Sequence, residues 1–505
     1  MSSTNSYRTI LRSSSIIAGA QVVNILVGLI RMKIIAVLIG PAGVGLLGLY
    51  ANLLQTATMI AGLGLDNVGT RQIATAHAEG SVNAAGRRRR IMFWGAALLA
   101  ALGALIFWLS SGLIAQVVLG DSERAHYLAW LSIGVALNVG AVSQSALLTG
   151  MRRIGDLGRI SILAGVLGTV ANLAIVWVWG MHGLIAIVLV TPVATFLLGH
   201  IFVSRLGPAK GERPTLKEMA REWGQMARLG FAFMISGLVA TIGILMMRTL
   251  VQRELGPDAL GQFQAAWAIG MTYLGFVLGA MGTDYFPRLA TVINDPKTAT
   301  RLVNEQTEVA LLLAAPILLT MLGFLPWLIK LLYTQDFAPA VEVLRWQLLG
   351  DILKVMSWPL GFVIIAAGAG KTFVATEAIG MAVLLLAAFV GLPITGITST
   401  GIAFLAMYTV YLPLVYWLAY RLIRFRFNRA VQRQALTLII AALAVDITGR
   451  WNAPLGASLG LVSAIAMGLW ALVRLADMTG ATGKLGRIAS LGRRLRAWMN
   501  RRTAE

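Results

Sequence analysis

Three cations sit where an apolar chain has least use for them. Arg31 and Lys33 interrupt the run QVVNILVGLIRMKIIAVLIGPAGVGLLG (21–48), and Arg248 lies inside ATIGILMMRTLV (240–251). A charge at the centre of a membrane helix costs at least about 2.5–3.5 kcal/mol, so it faces a cavity or a partner by default. Cations held in a low-dielectric space bind anions, and a guanidinium grips phosphate oxygens two at a time. Gln21, Asn24, Gly28 and Arg31 are spaced three, four and three apart, which gives the first helix a polar, cationic stripe. Arg31 stands nine residues before Gly40, about 13 Å along a helix, deep for a side chain that would snorkel. Lys33 and Arg248 lie nearer a helix end and reach an interface more easily. Asn52, Gln55, Asn138, Gln144 and Thr241 are further polar candidates for the same cavity, although single amides in membrane helices more often bond a neighbouring helix. The candidate anion-binding set is Arg31, Arg248, Lys33, Asn24, Gln21, Asn52, Gln55 and Thr241.

A second group lies in WQLLGDILKV (346–355), where helical spacing puts Gln347, Asp351, Lys354 and Trp358 on one stripe. Two readings stand side by side. Asp351 and Lys354 either neutralise each other as an i, i+3 pair, or form a protonatable or cation-coupled switch beside the anion site. Asp66 with Arg71, and Asp284 with Arg288, end two apolar runs and are candidates for a gate, against plain solvation of helix ends. With no Cys, thiol chemistry and disulfides are excluded. No residues point to a catalytic or metal site.

The elements that must position these residues are membrane helices. Of 505 residues 58% are hydrophobic and only 12% charged, too few for the surface of a soluble chain this long. Fourteen segments have the roughly 20 apolar residues a crossing needs: about 13–39, 45–65, 91–119, 127–150, 160–180, 183–204, 229–251, 262–283, 309–332, 341–368, 373–394, 400–420, 434–449 and 454–475. The thirteenth is the weakest, being short and holding Asp446. The first reads as a membrane helix rather than a cleaved signal, being too long and lacking a small-residue cleavage pattern.

Of 42 Lys and Arg, 33 fall in the termini and even-numbered loops and only Arg124, Arg253 and Arg450 in the odd-numbered ones. By the positive-inside rule both termini are expected in the cytoplasm. The net charge of +21 is therefore topological rather than a nucleic-acid footprint, and the basic tail KLGRIASLGRRLRAWMNRR (484–502) is an orientation signal that can also touch anionic lipid. The opposite loops are too short for an external catalytic domain.

The chain repeats itself. LIGPAGVGLLGLYANL (38–53) returns as ELGPDALGQFQAAWAI (254–269), with Gly40, Pro41 and Gly45 on Gly256, Pro257 and Gly261 at an offset of 216. Further along, Gly150 to Arg153 meets Gly368 to Lys371. The expected organisation is a six-helix bundle over 1–216, a second in the same orientation over 217–433, two extra helices over 434–476 and a cytoplasmic tail over 477–505. Parallel repeats of this kind are a transporter architecture, with the site between the halves. Two nucleotide-like strings are decoys: GVGLLG (43–48) follows no strand, and GAGKT (368–372) has Ile365 where a phosphate loop needs its first glycine. Both are expected to be tight turns between helices.

The GPAGVGLLG turn after a cationic first helix, together with WQLLGDILKV, resembles the polysaccharide transporter family of the multidrug/oligosaccharidyl-lipid/polysaccharide (MOP) exporter superfamily, and within it the Wzx-type flippases of O-antigen and enterobacterial common antigen. The resemblance covers about residues 9–425. It implies an all-α polytopic fold of two six-helix bundles arranged as a V, alternating access without catalysis or cofactor, and a location in the bacterial inner membrane. The implied cargo is a glycan on undecaprenyl pyrophosphate, and the implied partners are membrane lipids, a polysaccharide polymerase and a chain-length regulator. Coupling to a proton, to sodium or to the membrane potential stays open. So do a lipid II flippase and a multidrug exporter of the same superfamily. A membrane glycosyltransferase or polymerase is the alternative from another class, disfavoured by the short external loops.

Overall fold

A computed structural model describes residues 3–78, 82–207 and 215–479. They form fifteen α-helices, with no strand among the described residues. In order these are α1 (Ser3–Gly62), α2 (Leu65–Ala78), α3 (Val82–Ile114), α4 (Ala125–Ala129), α5 (Leu131–Gly150), α6 (Ile154–Trp179), α7 (Leu184–Ser204) and α8 (Leu216–Val292). There follow α9 (Pro296–Gly323), α10 (Leu325–Leu332), α11 (Ala340–Ala366), α12 (Gly370–Thr395), α13 (Thr398–Ile423), α14 (Arg429–Trp451) and α15 (Ala453–Thr479).

Eleven apolar helical stretches are long enough to cross a bilayer when the bent pair Gly237–Gly279 and Asp284–Val292 is taken as one. Four of these exceed what a hydrocarbon core of about 30 Å can hold upright, and three of the four are interrupted by a sharp break. Val27–Gly62 breaks at Gly40 (φ 63°) and Gly237–Gly279 at Gly256 (φ 83°), a left-handed conformation that glycine adopts without strain. Ile154–Ser204 breaks at the 3-10 turn Gly180–Gly183. Each of these three broken stretches then counts as two crossings, which brings the described residues to the fourteen expected.

The break at Gly256 is a reversal, not a bend. Arg248 and Gln264 would stand about 24 Å apart on a straight helix, yet their side chains are hydrogen-bonded. Gly45 and Gly261 let the two glycine-proline hairpins touch. A methyl on Gly45 would lie 2.5 Å from the Gly261 nitrogen and 2.8 Å from the Pro257 carbonyl oxygen. GVGLLG is accordingly not the tight turn that its sequence led us to expect. Its glycines lie within helix, just past the reversal at Gly40, where small residues permit close backbone approach.

The repeat is written in the backbone as well. Positive φ occurs at Gly40 and Gly256, at Arg152 and Gly368, and at Gly180 and Gly396, each pair offset by 216. Helices α6 and α12 share the same offset at both ends. Gly368 therefore corresponds to Arg152, two positions from the alignment of Gly150 with Gly368 that the sequence pattern gave. Its left-handed conformation at the end of α11 is a helix-terminating turn, as expected for GAGKT.

Two compact units emerge, Met1–Gln264 with Leu332–Phe337, and Ala265–Leu331 with Ala338–Glu505. This is a boundary of packing, and the repeat boundary after residue 216 is one of sequence; the first limb of α8 packs with the first unit. In the first unit α5 lies against α3 and α7, and α1 against α6. In the second unit α13 lies against α11 and α12, while α14 and α15 pack on α9. The weak thirteenth segment is a full helix of 23 residues. Its Asp446 is neutralised by Arg345 at 3.0 Å and Arg450 at 3.0 Å. At the other end of the pair, Arg474 of α15 meets the buried Glu308 of α9 at 2.7 Å. The basic tail lies outside the described residues.

Candidate functional site

The second limb of α1 presents Val44, Gly48, Ala51, Gln55, Thr58 and Gly62 at three- and four-residue intervals, one helical stripe about 27 Å long. That stripe walls a cavity of about 780 Å³ within the first unit. The first limb of α1 contributes Arg31, α5 contributes Asn138, α6 Asn172, α7 Thr191 and α8 Gln264. Asp66 and Asn67 line the far end. Counted along the two limbs, the levels of Arg31 and Asp66 differ by about 25 Å. The chamber therefore has one cationic and one acidic end, and between them a few amides and hydroxyls are set in a mostly apolar wall that includes Leu47, Leu54, Met59 and Ile187. No aromatic ring is among its described lining residues.

Several of these polar groups are unspent. The Oδ1 of Asn172, a residue only 4% exposed, has no hydrogen-bond partner. An orphaned buried acceptor costs about 1–3 kcal/mol. Asn138 reaches the Thr58 hydroxyl at a long 3.5 Å. Arg31 also faces a smaller cavity of about 270 Å³, lined by Gly28, Thr169 and Thr195. The donor set suits an anionic group carrying many hydroxyls.

The other candidates from the sequence distribute differently. Gln55 lines the chamber and is exposed to it. Arg248 does not line it. The residue is 8% exposed, and its guanidinium donates to the Gly48 carbonyl at 2.9 Å and to Gln264 Oε1 at 2.8 Å. It is a clamp behind the wall, holding two residues that do face the cavity. Lys33 also lies outside the lining and donates to the Tyr333 carbonyl. Asn52 is buried and reaches the Thr241 carbonyl at 3.5 Å, while the Thr241 hydroxyl donates to Gly237, so both serve helix contacts. The side chains of Gln21 and Asn24 lie outside the described residues. Asn172 and Gln264 were not among the candidates. A lone Asn in VANLAIVWV and the Gly48-to-Gln264 exchange between the repeats were the available signals.

The gate candidates form no cross-chamber bridge. Asp284 and Arg288 pair at 3.0 Å within one helix and are both exposed. Asp66 accepts from Asn67 at 3.2 Å, and no Asp66–Arg71 ion pair forms.

In the second unit Asp351 is fully buried and accepts from the Tyr273 hydroxyl at 2.5 Å, leaving Oδ1 without a partner. Gln347, one turn earlier, has neither amide atom hydrogen-bonded. Asp351 and Lys354 do not form the i, i+3 ion pair that spacing allowed. The Lys354 ammonium instead contacts the Met271 sulfur at 3.3 Å and lies 5.5 and 5.8 Å from the centres of the Phe404 and Tyr408 rings. Glu377, absent from the sequence candidates, accepts from Tyr411 on α13. Asp351 and Glu377 each interact electrostatically with Lys354, but no two of the three stand within ion-pair distance.

With these sites described, the likenesses to known proteins take on meaning. The chain is 25% identical over 411 residues to the lipid III flippase of Escherichia coli (strain K12), covering 79% of this chain and 95% of that protein. In fold it is similar to the lipid II flippase MurJ in an inward closed conformation, with TM-score 0.68, 13% identity, and 90% and 98% of the two chains covered. It is also similar to an inward-facing multidrug resistance MATE family transporter of the MOP superfamily, with TM-score 0.63, 16% identity, and 81% and 96% covered. These likenesses identify the fold as that of the MOP transporters, a multi-pass membrane protein. Residues 10–292, more than half of the chain, match the family described as polysaccharide biosynthesis protein, and the chain belongs to that family.

Proposed function

We propose that the chain is a flippase that moves a lipid-linked oligosaccharide across the bacterial inner membrane, from the cytoplasmic to the periplasmic leaflet. The observation that carries this reading is the chamber of the first unit: one guanidinium, Arg31, at one end of a mostly apolar wall that carries the amides Gln55, Asn138, Asn172 and Gln264. The similarity to the lipid III flippase supports the cargo class. Arg31 takes a phosphate of an undecaprenyl pyrophosphate, and Gln55, Asn138, Asn172 and Gln264 take the sugars. The polyprenyl chain stays in lipid. Chemistry is not needed, only alternating exposure, and no bond is made or broken.

The charge bias puts both termini in the cytoplasm and the hairpins at Gly40 and Gly256 at the periplasmic end. Arg31 then lies in the outer half of the membrane and draws the anion outward. Each charge crossing the field is worth about 2.3 kcal/mol per 100 mV, so two phosphate charges leaving a negative interior gain roughly 4–5 kcal/mol. Coupling through Asp351 and Glu377 to a proton or sodium is the added drive in this scheme. Export of aromatic or cationic drugs fits less well, because no ring among the described lining residues faces the chamber.

Complementation of a flippase-deficient strain tests the reading. Arg31→Ala is expected to abolish surface glycan at normal protein level; unchanged glycan would remove Arg31 from the site.

A further inference from the structure

A second polar cavity, of about 450 Å³, lies in the first unit among the ends of α3, α5 and α7. It is separate from the chamber and shares no lining residue with it. Arg89 and Arg90 enter it from α3, Ser143 and Gln144 from α5, His200 and Ser204 from α7. Phe93 and Trp94, 61% and 59% exposed, line it a turn further along α3. Exposed aromatics one turn inside a row of arginines mark the headgroup level of a bilayer.

The four consecutive arginines of α3 are spent unequally. Arg87 is neutralised by Glu218 and Glu222 at 3.3 and 3.4 Å. Arg88 donates to the Gln72 carbonyl at 2.9 Å, and Arg89 to the carbonyls of Gly207 at 2.8 Å and Val203 at 3.3 Å. Those acceptors are neutral, so hydrogen bonding is satisfied while the charge is not. No carboxylate lines the cavity among the described residues. On α5, Gln144 Oε1 is buried and has no hydrogen-bond partner. The cavity thus offers positive charge and an apolar edge, while Gln144 Oε1 is closed off against Gly199 of α7.

We propose that this cavity binds the headgroup of an anionic glycerophospholipid. Its phosphodiester sits against Arg89 and Arg90, and the acyl chains run along Phe93 and Trp94. A basic pocket between membrane helices at headgroup depth attracts such lipids at about 1 kcal/mol per arginine. A free phosphate would satisfy the cations but leave the aromatic edge unused.

The test is native mass spectrometry of the full chain in detergent, titrated separately with phosphatidylglycerol, phosphatidylcholine and inorganic phosphate. Phosphatidylglycerol is expected to bind about tenfold or more tightly than phosphatidylcholine, and millimolar phosphate is expected not to displace it. Arg90→Gln, which spares the contacts Arg89 makes to the end of α7, should weaken phosphatidylglycerol about fivefold. Ser204→Trp, which fills the cavity without changing charge, should do at least as much. Arg301→Gln, an equal charge change on an exposed helix surface, should do nothing. Equal affinity for the two lipids would overturn the proposal, as would a preference that survives both Arg90→Gln and Ser204→Trp. Displacement by inorganic phosphate would overturn it in favour of a soluble anion site.

Discussion

The Arg248 guanidinium hydrogen-bonds Gln264 Oε1 at 2.8 Å, joining the two limbs of one hairpin across the reversal at Gly256. The same group holds the Gly48 carbonyl at 2.9 Å, so it ties the hairpin of the second repeat to that of the first. Both partners line the chamber. Arg248 is therefore a positioning residue, and Arg31 is the cation that faces the cavity.

These two arginines should separate in stability. Two hydrogen bonds to a charged donor are together worth about 3–6 kcal/mol. Arg248→Ala is expected to lower the thermal unfolding midpoint in detergent by several degrees and to reduce protein yield. Arg31→Ala is expected to leave the midpoint within about 2 °C, since its surroundings are a cavity.

The appended helices α14 and α15 should be held to α9 by charge and by close contact. Arg474→Gln leaves Glu308 buried without its cation, a change that costs about 3–5 kcal/mol. Adding Glu308→Gln to that variant removes the orphaned charge and should recover most of the loss, measured by the same unfolding assay. Gly460→Leu should be as damaging as Arg474→Gln, because even a methyl there would lie 2.8 Å from the Gly323 Cα.

Much of this was legible in the sequence because glycine and charge are read locally. The Gly-Pro spacing at an offset of 216 announced both hairpins, and the backbone repeats it at Arg152 and Gly368, and again at Gly180 and Gly396. The destinations of long side chains were not legible. Arg31 and Arg248 look alike in a helical pattern, yet one faces a cavity and the other a carbonyl on a different hairpin. Asn52 reaches the Thr241 carbonyl and the Thr241 hydroxyl turns back to Gly237, so neither side chain serves the chamber. Asp351 and Lys354 fit an i, i+3 pair, but Tyr273 and two aromatic rings compete for them from other helices. Tertiary partners of this kind leave no trace in spacing.

Asp351 carries the next expectation. Asp351→Asn keeps the side-chain volume and an acceptor for Tyr273, so the fold should persist with an unchanged unfolding midpoint. If the buried carboxylate couples transport to an ion, translocation by this variant in proteoliposomes will no longer respond to an imposed proton or sodium gradient. Retention of the wild-type gradient response would leave Asp351 a structural partner of Tyr273.

The central claim is that Arg31 and the amide wall of the first unit carry a pyrophosphate-linked glycan. The most direct measurement is the rate at which purified chain in proteoliposomes moves an undecaprenyl-pyrophosphate-linked oligosaccharide between leaflets, read by accessibility of the sugar to an external glycosidase. The account predicts translocation by the wild type and a loss of about 30-fold or more in Arg31→Ala, the cost of removing one partner of a buried phosphate contact. Arg31→Ala translocating at the wild-type rate, or wild-type protein that moves no such lipid, would contradict it.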